Sequence, residues 1–128
     1  MKKFIIILFF LSFILFETIS FSQKMTRYPL QISIINLIAT PEKFHGEKIL
    51  VSGFVQIDFE GNAIYLSKTD CEKIFTKNAI WLSIDHIKEF DNFKEGYATI
   101  EGVFDAMDNG HGDMFSGSIK KITRVIKK

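Results

Sequence analysis

Carboxylates are concentrated in two short stretches of this sequence, residues 56–67 and 101–116, and neither stretch contains a Lys or Arg. Such acids can dock a basic group, hold a hard cation such as Ca²⁺ or act as a general acid/base pair. They are also what tight turns and exposed strand faces require. The acids are Asp58, Glu60, Glu101, Asp105, Asp108 and Asp113. If the two stretches form a binding site, the residues expected to bind the ligand are Asp58, Glu60, Asn62, Asp108, His111 and Asp113.

The metal-binding and catalytic interpretations have weaker sequence support. Residues 108–113 contain Asp, Asn and Gly, but they lack the alternating acids and the final Glu of a calcium loop. The three His residues are scattered, Cys71 has no His at ligand spacing, and Ser116 lies outside a G-x-S-x-G motif. We therefore expect no metal, no cofactor, no catalytic residue and no enzymatic activity. A small periplasmic hydrolase that uses the carboxylates is the alternative.

Hydrophobic patterning predicts the elements that position these residues. Ser33 is a plausible N-cap for a short helix from Ile34, and Thr40-Pro41 begins a second helical turn that Gly46 ends. Alternating apolar residues predict a strand from Lys48 that continues to Phe59, with a bulge or bend at Gly53. The other predicted strands are residues 63–66, 79–84, 97–106 and 114–126, the last with a bulge near Lys120.

Short helices are predicted between these strands. Residues 68–78 place Cys71, Ile74 and Phe75 at helical spacing, and residues 85–93 follow Asp85 as a cap. The order of three strands, a helical connection and two strands predicts a mainly β fold with short helices. We assign it as a small five-stranded OB-type barrel preceded by a short N-terminal helix. A partly open sheet with helices on one side is the competing architecture.

The barrel gives the acidic stretches a common location. In OB-type barrels, the loops that join strands one to two and four to five flank the usual ligand face. Here both loops are acidic, and we call this predicted edge the acidic rim. Because Lys and Arg contacts to phosphate dominate nucleic-acid affinity, we do not expect this rim to bind nucleic acid.

The N-terminus has the pattern of an export signal. Lys2 and Lys3 precede an apolar run from Phe4 to Phe16, which is shorter than the ~20 residues of a transmembrane helix. Small residues at Ser20 and Ser22 predict cleavage before Gln23. We expect residues 1–22 to be a signal peptide, 23–31 a flexible leader and 32–128 a single domain. The expected location is the periplasm or the extracellular space.

Several short blocks resemble a group of small uncharacterised bacterial proteins with an OB-like domain. The blocks lie between residues 34 and 124, at positions 59–68, 77–82, 101–106, 110–111, 115–119 and 122–124. The resemblance implies one domain over that span. It implies no reaction and no catalytic residue.

The expected function is binding of a protein or a small ligand through the acidic rim. A basic protein is a suitable partner because the charges are complementary. The membrane is expected to matter only through an uncleaved signal or the basic tail at residues 120–128, and an envelope-associated structural protein is a further alternative. Cys71 is interpreted as a partly buried side chain, with a disulfide to a second chain as the other possibility; the oligomeric state is left open.

Overall fold

The protein folds as a closed five-stranded barrel with one short additional strand. A computed structural model describes residues 28–84 and 87–128, together with Lys3. The predicted signal peptide apart from Lys3, the first part of the predicted leader and the predicted helix cap Asp85 lie outside the described residues. The additional strand is Leu30–Ile32 (β1). The barrel strands are Lys48–Gln56 (β2), Ala63–Tyr65 (β3), Ala79–Leu82 (β4), Glu95–Asp105 (β5) and Ser118–Lys127 (β6).

Strand pairing closes the barrel in the order β2-β3-β4-β6-β5 and back to β2. The β4–β6 pair is parallel and the other barrel pairs are antiparallel. Strand β1 pairs in parallel with β2 outside this ring. The predicted OB-type barrel is therefore confirmed, and the partly open sheet is excluded because β5 pairs with β2 along its length.

The two long strands β2 and β5 supply much of the barrel core. Their ladder runs without a register shift from Lys48 opposite Val103 to Gln56 opposite Glu95, so the bulge considered at Gly53 is absent. Gly53 is needed for close approach, because a Cβ there would lie 2.5 Å from the backbone oxygen of Tyr65. The predicted inward face of β5 is buried or partly buried: Ala98, Ile100, Gly102, Phe104 and Ala106.

Short helices pack against the barrel where the sequence predicted them. Helix α1 (Ile34–Ala39) has Ser33 as its N-cap, with the hydroxyl accepting a hydrogen bond from the Asn36 amide. Its side chains Ile34 and Leu37 join the barrel core. A 3₁₀ turn at Pro41–Lys43 follows, and α2 (Lys68–Glu72) lies after β3. Further 3₁₀ turns occupy Thr76–Asn78, Lys88–Phe90 and His111–Asp113.

None of the helices in the described part of the chain combines the length and the apolar character needed to cross a bilayer.

Some predicted boundaries were wrong. Leu30 and Gln31, expected in a loose leader, form β1, because three residues are too few to show a hydrophobic period. The strand from Lys48 ends at Gln56, and Phe59 is 92% exposed in the following turn. The last strand begins at Ser118, since the chain from residue 114 to 117 still belongs to the loop.

The remaining comparisons with the sequence predictions concern the ends of helices and the bulge in the last strand. Helix α2 ends at Glu72, because Ile74 adopts a left-handed φ of 57° and is exposed together with Phe75. The predicted bulge near Lys120 is confirmed by a register shift between β5 and β6, and Lys121 there has a φ of 48°. In the 85–93 connection, the described helical part is the single turn at Lys88–Phe90.

Candidate functional site

The two acidic loops meet at the end of the barrel, as the fold prediction required. The Nε2 atom of His111 lies 3.5 Å from an Oε2 of Glu60, which joins the β5–β6 loop to the β2–β3 turn. Within the turn, the Asn62 side-chain oxygen accepts a hydrogen bond of 3.2 Å from the Asp58 amide. Within the β5–β6 loop, Asp113 accepts one of 2.7 Å from the Asn109 side chain.

Trp81 determines where the β5–β6 loop lies. Gly110 has a φ of 66°, and a Cβ at this position would lie 2.5 Å from the Cβ and Cγ of Trp81. Only glycine permits this approach. The ring of His111 stacks against the same indole, with centroids 6.3 Å apart. The loop is thus held against β4, and His111 is directed toward the β2–β3 turn.

Lys120 neutralises part of the predicted rim. Its Nζ atom lies 2.7 Å from a carboxylate oxygen of Asp105 and 2.8 Å from one of Asp108. These hydrogen bonds lower the pKa of both carboxyls and raise the pKa of Lys120. Asp108 was predicted to bind a ligand, and the structure places it in an internal ion pair.

Glu101 is neutralised in the same way. Only 6% of this residue is exposed, and its oxygens lie 2.7 Å from Lys48, 2.6 Å from Arg124 and 2.9 Å from the Thr123 hydroxyl. The hydrogen bond from Lys48 is the main cause of its lowered pKa, with Thr123 and Arg124 adding to it. Glu101 therefore ties β2, β5 and β6 together and does not face the rim.

Two of the other predicted acids, Asp58 and Glu60, border an open groove of about 580 Å³, which Asp113 does not line. We call it the acidic groove. Its edge carries four exposed carboxylates, Asp58 and Glu60 from the β2–β3 turn, Glu72 from α2 and Glu95 from the start of β5. Among the described residues that line it there is no Lys or Arg. Glu72 has a partner outside the groove, since Lys68 lies 3.7 Å away on the exposed side of α2.

Buried polar side chains form the floor of the acidic groove. Tyr65 is 3% exposed and Cys71 is 6% exposed. The thiol donates a hydrogen bond of 3.3 Å to the side-chain oxygen of Gln56. Burial raises the pKa of the Cys71 thiol, and the negative charges of Glu95 and Glu72 raise it further. Burial, followed by the neighbouring Cys71, raises the pKa of Tyr65.

Apolar side chains complete the edge of the groove. Phe59 is 92% exposed and Ile74 is 73% exposed. The backbone of Ile74 has a left-handed φ of 57°. Such a conformation costs a β-branched residue about 1–2 kcal/mol. Met114 is also exposed, while Phe115 is buried beneath it against Trp81. The acidic groove therefore offers apolar contact area beside its charges.

Sequence reasoning missed Glu72, Glu95, Tyr65 and Cys71 as members of one site. One signal was available for Glu95, because pairing of β2 with β5 places it opposite Gln56 at the start of the first acidic stretch. The position of α2 against β3, which brings Cys71 and Glu72 to the groove, follows from tertiary packing and has no local pattern.

Ser116 and Cys71, the two possible nucleophiles considered from the sequence, are held within the fold. Ser116 donates its hydroxyl hydrogen to the backbone oxygen of Lys77, and Cys71 is buried, as its structural interpretation predicted. Within residues 28–84 and 87–128, no three His, Cys, Asp or Glu side chains are grouped so that they could hold a metal ion. The resemblance to small bacterial proteins stays a prediction. Comparisons with protein-family models, with curated proteins and with solved structures found no match to this chain.

Proposed function

We propose that this protein is an exported, non-enzymatic binding module that takes a positively charged group of a protein or a small ligand into the acidic groove. The observation that carries the proposal is the lining of that groove, which combines four carboxylates with no basic side chain among the described residues. Carboxylates on low-dielectric walls focus a negative potential into a cleft, which raises the local concentration of cations.

The raised pKa of Cys71 at the floor of the groove supports binding over catalysis. A nucleophilic cysteine needs a lowered pKa and a nearby base, whereas burial and the neighbouring acids raise the pKa of Cys71. The carboxylates surround a wide groove, and no described group of three acids, His or Cys is close enough together to hold a metal ion. This spacing suits the binding of an organic cation better than the binding of a metal ion. A small periplasmic hydrolase that uses carboxylates near the rim is the alternative.

The same charges argue against nucleic acid as the ligand. Phosphates would be repelled by the acidic groove, and Lys120 and Arg124 are already paired with acids. A basic protein segment or a small organic cation has the complementary charge. The expected export of the chain would present the groove to such ligands outside the cytoplasm.

The test is capture from envelope extract by immobilised protein, with partners identified by mass spectrometry. The variant Glu60→Lys/Glu95→Lys reverses two charges of the groove, and we expect it to lose the partners that wild type captures. The matched control is Glu42→Lys/Glu89→Lys, which reverses two exposed acids on 3₁₀ turns that do not line the groove. The proposal fails if the groove variant captures the same partners as wild type. Mass spectrometry of the protein recovered from cells tests export, since a mature N-terminus at Gln23 is expected.

A further inference from the structure

The loop between β5 and β6 contains the only Asn-Gly pair of the sequence, Asn109-Gly110. In such a pair, the main-chain nitrogen of the glycine can attack the side-chain amide carbon of the asparagine. Glycine favours this attack because it has no Cβ to obstruct the approach. The residue that follows each of the other four asparagines carries a Cβ. We therefore expect Asn109 to lose its side-chain amide faster than any other asparagine when the chain is unfolded.

The reaction needs water as its only co-reactant. The Gly110 nitrogen gives up its proton and forms a bond to Cγ of Asn109, and the bond between Cγ and Nδ2 breaks. The leaving nitrogen takes up the proton and departs as ammonia, so a five-membered cyclic imide remains. Water then opens one of the two carbonyl bonds of the imide. Opening at Cγ gives aspartate, and opening at the main-chain carbonyl gives isoaspartate, in which the main chain runs through the side-chain carbons.

Hydrogen bonds hold this peptide and its side chain in the folded loop. The Gly110 amide donates to an oxygen of Asp108 at 2.9 Å, and the Asn109 main-chain oxygen accepts from the Phe115 amide at 3.0 Å. The Asn109 side chain is held separately, since its Nδ2 donates to Asp113 at 2.7 Å. Release of the amide proton to solvent requires the first bond to break, and rotation of the peptide plane requires the first two to break.

Asp108 is a poor base for this reaction. Its second carboxylate oxygen lies 2.8 Å from Nζ of Lys120. The hydrogen bond from Lys120, followed by the one from the Gly110 amide, lowers the pKa of Asp108. A carboxylate with a lowered pKa accepts a hydrogen bond from the amide without taking its proton. The contact between Asp108 and Gly110 therefore protects the peptide.

We propose that Asn109 is a site of spontaneous modification that the folded loop holds unreacted, and that its reaction permanently alters the acidic rim. The loop has to open before Gly110 loses its amide proton, so the rate of the reaction follows how often the loop opens. Either product places a new carboxylate between Asp108 and Asp113 in the sequence. This inference does not depend on the proposed binding function.

The isoaspartate product also changes the shape of the loop. It adds one atom to the main chain directly before Gly110, where a Cβ would already lie 2.5 Å from Trp81. Because this contact leaves no room for a longer chain, Gly110 must move away from the indole. His111 follows it and loses both its stacking on Trp81 and the 3.5 Å contact of its Nε2 atom with Glu60. The modification thus releases the β5–β6 loop from the β2–β3 turn.

The test is to age the purified protein and to measure the conversion of each asparagine by peptide mapping with mass spectrometry. Native protein and protein unfolded in guanidinium chloride are kept at the same pH and temperature. We expect Asn109 to react fastest of the five asparagines in the unfolded chain. In the native protein we expect it to react at least about tenfold more slowly, because hydrogen bonds must break first. If another asparagine reacts faster in the unfolded chain, the site is wrong. Equal rates at Asn109 in both states would show that the loop does not protect it.

Asp113→Asn tests the side-chain contact, since it keeps the shape of the side chain and exchanges a charged acceptor for a neutral one. We expect Asn109 of the native variant to react about threefold faster than in wild type, with no difference between the unfolded chains. Asp91→Asn changes an exposed acid on the connection between β4 and β5 and is the matched control. Equal rates in the two variants would overturn the role of Asp113. The isoaspartate form, separated by its charge, should show altered Trp81 fluorescence, and an unchanged spectrum would overturn the change of shape.

Discussion

Replacing Glu101 by Gln tests whether this buried carboxylate holds β2, β5 and β6 together. The substitution keeps the size of the side chain and removes its charge. In the wild type, the carboxylate accepts hydrogen bonds from Lys48 on β2 and from Thr123 and Arg124 on β6, at 2.7, 2.9 and 2.6 Å respectively. A glutamine has a single acceptor oxygen, so it can replace only part of this arrangement.

The expected cost follows from these contacts. A hydrogen bond to a charged group contributes about 1.5–3 kcal/mol, and the variant loses roughly two of them. The side chains of Lys48 and Arg124 are 40% and 49% exposed, so water replaces much of what they lose. We expect the free energy of unfolding to fall by about 2–3 kcal/mol. For a domain of about 100 residues this corresponds to a melting temperature lower by roughly 10–15 °C.

The pH dependence of the free energy of unfolding gives a second measure of the Glu101 interactions. The pKa of Glu101 is lowered from its ordinary value of 4.5 in the folded protein. Its contribution to stability is therefore complete above that value and is lost as the pH falls through the lowered pKa of the folded state. The difference between wild type and Glu101→Gln should shrink in acid.

Urea unfolding at pH 7 and at several values below 4.5 measures both effects. Glu89→Gln is the control, because this exposed acid lies on a 3₁₀ turn and should change stability by less than about 0.5 kcal/mol. The reasoning is refuted if Glu101→Gln and the control are equally stable at pH 7.

Two further predictions concern the loop and the groove. Gly110→Ala places a methyl group 2.5 Å from Trp81, so we expect it to lower the free energy of unfolding by at least about 2 kcal/mol and to change the fluorescence of this indole. Gly46→Ala is the matched control, with a similar positive φ and no atom within 4 Å of the new methyl group; equal costs would contradict the contact. Glu95→Gln should lower the pKa of Cys71 toward its ordinary value, because it removes the larger of the two charges that raise it. The pH dependence of alkylation by iodoacetamide measures this, and an unchanged profile would show that Glu95 does not act on the thiol.

The barrel could be predicted from the sequence because the patterns that indicate its strands and helix caps are local. The alternation along β5 and the cap at Ser33 each act within a few residues, and both were confirmed. The bulge near Lys120 was also visible, since the apolar set changes face there and the register shifts at the same point. Three-residue elements such as β1 carry too little pattern to be recognised in this way.

The site was less predictable because charge compensation depends on strand register. The stretch around Asp105 and Asp108 contains no Lys or Arg, yet the pairing of β5 with β6 brings Lys120 to both. Pairing of β2 with β5 likewise brings Glu95 to the acidic groove. The number of acids along the chain does not tell which acids pair with Lys120 and which line the groove. The register of the strands in the closed barrel decides this.

Turn chemistry explains only part of the charge that is left in the groove. It accounts for Asp58, whose side chain accepts a 2.7 Å hydrogen bond from the next amide, and for Asn62, which closes the same turn. It does not account for Glu60 or Glu95, because glutamate has no comparable turn role. Like charges around one groove repel each other and reduce stability. The charge that turn formation leaves unexplained is therefore that of Glu60 and Glu95, the two positions that the charge-reversal variant changes.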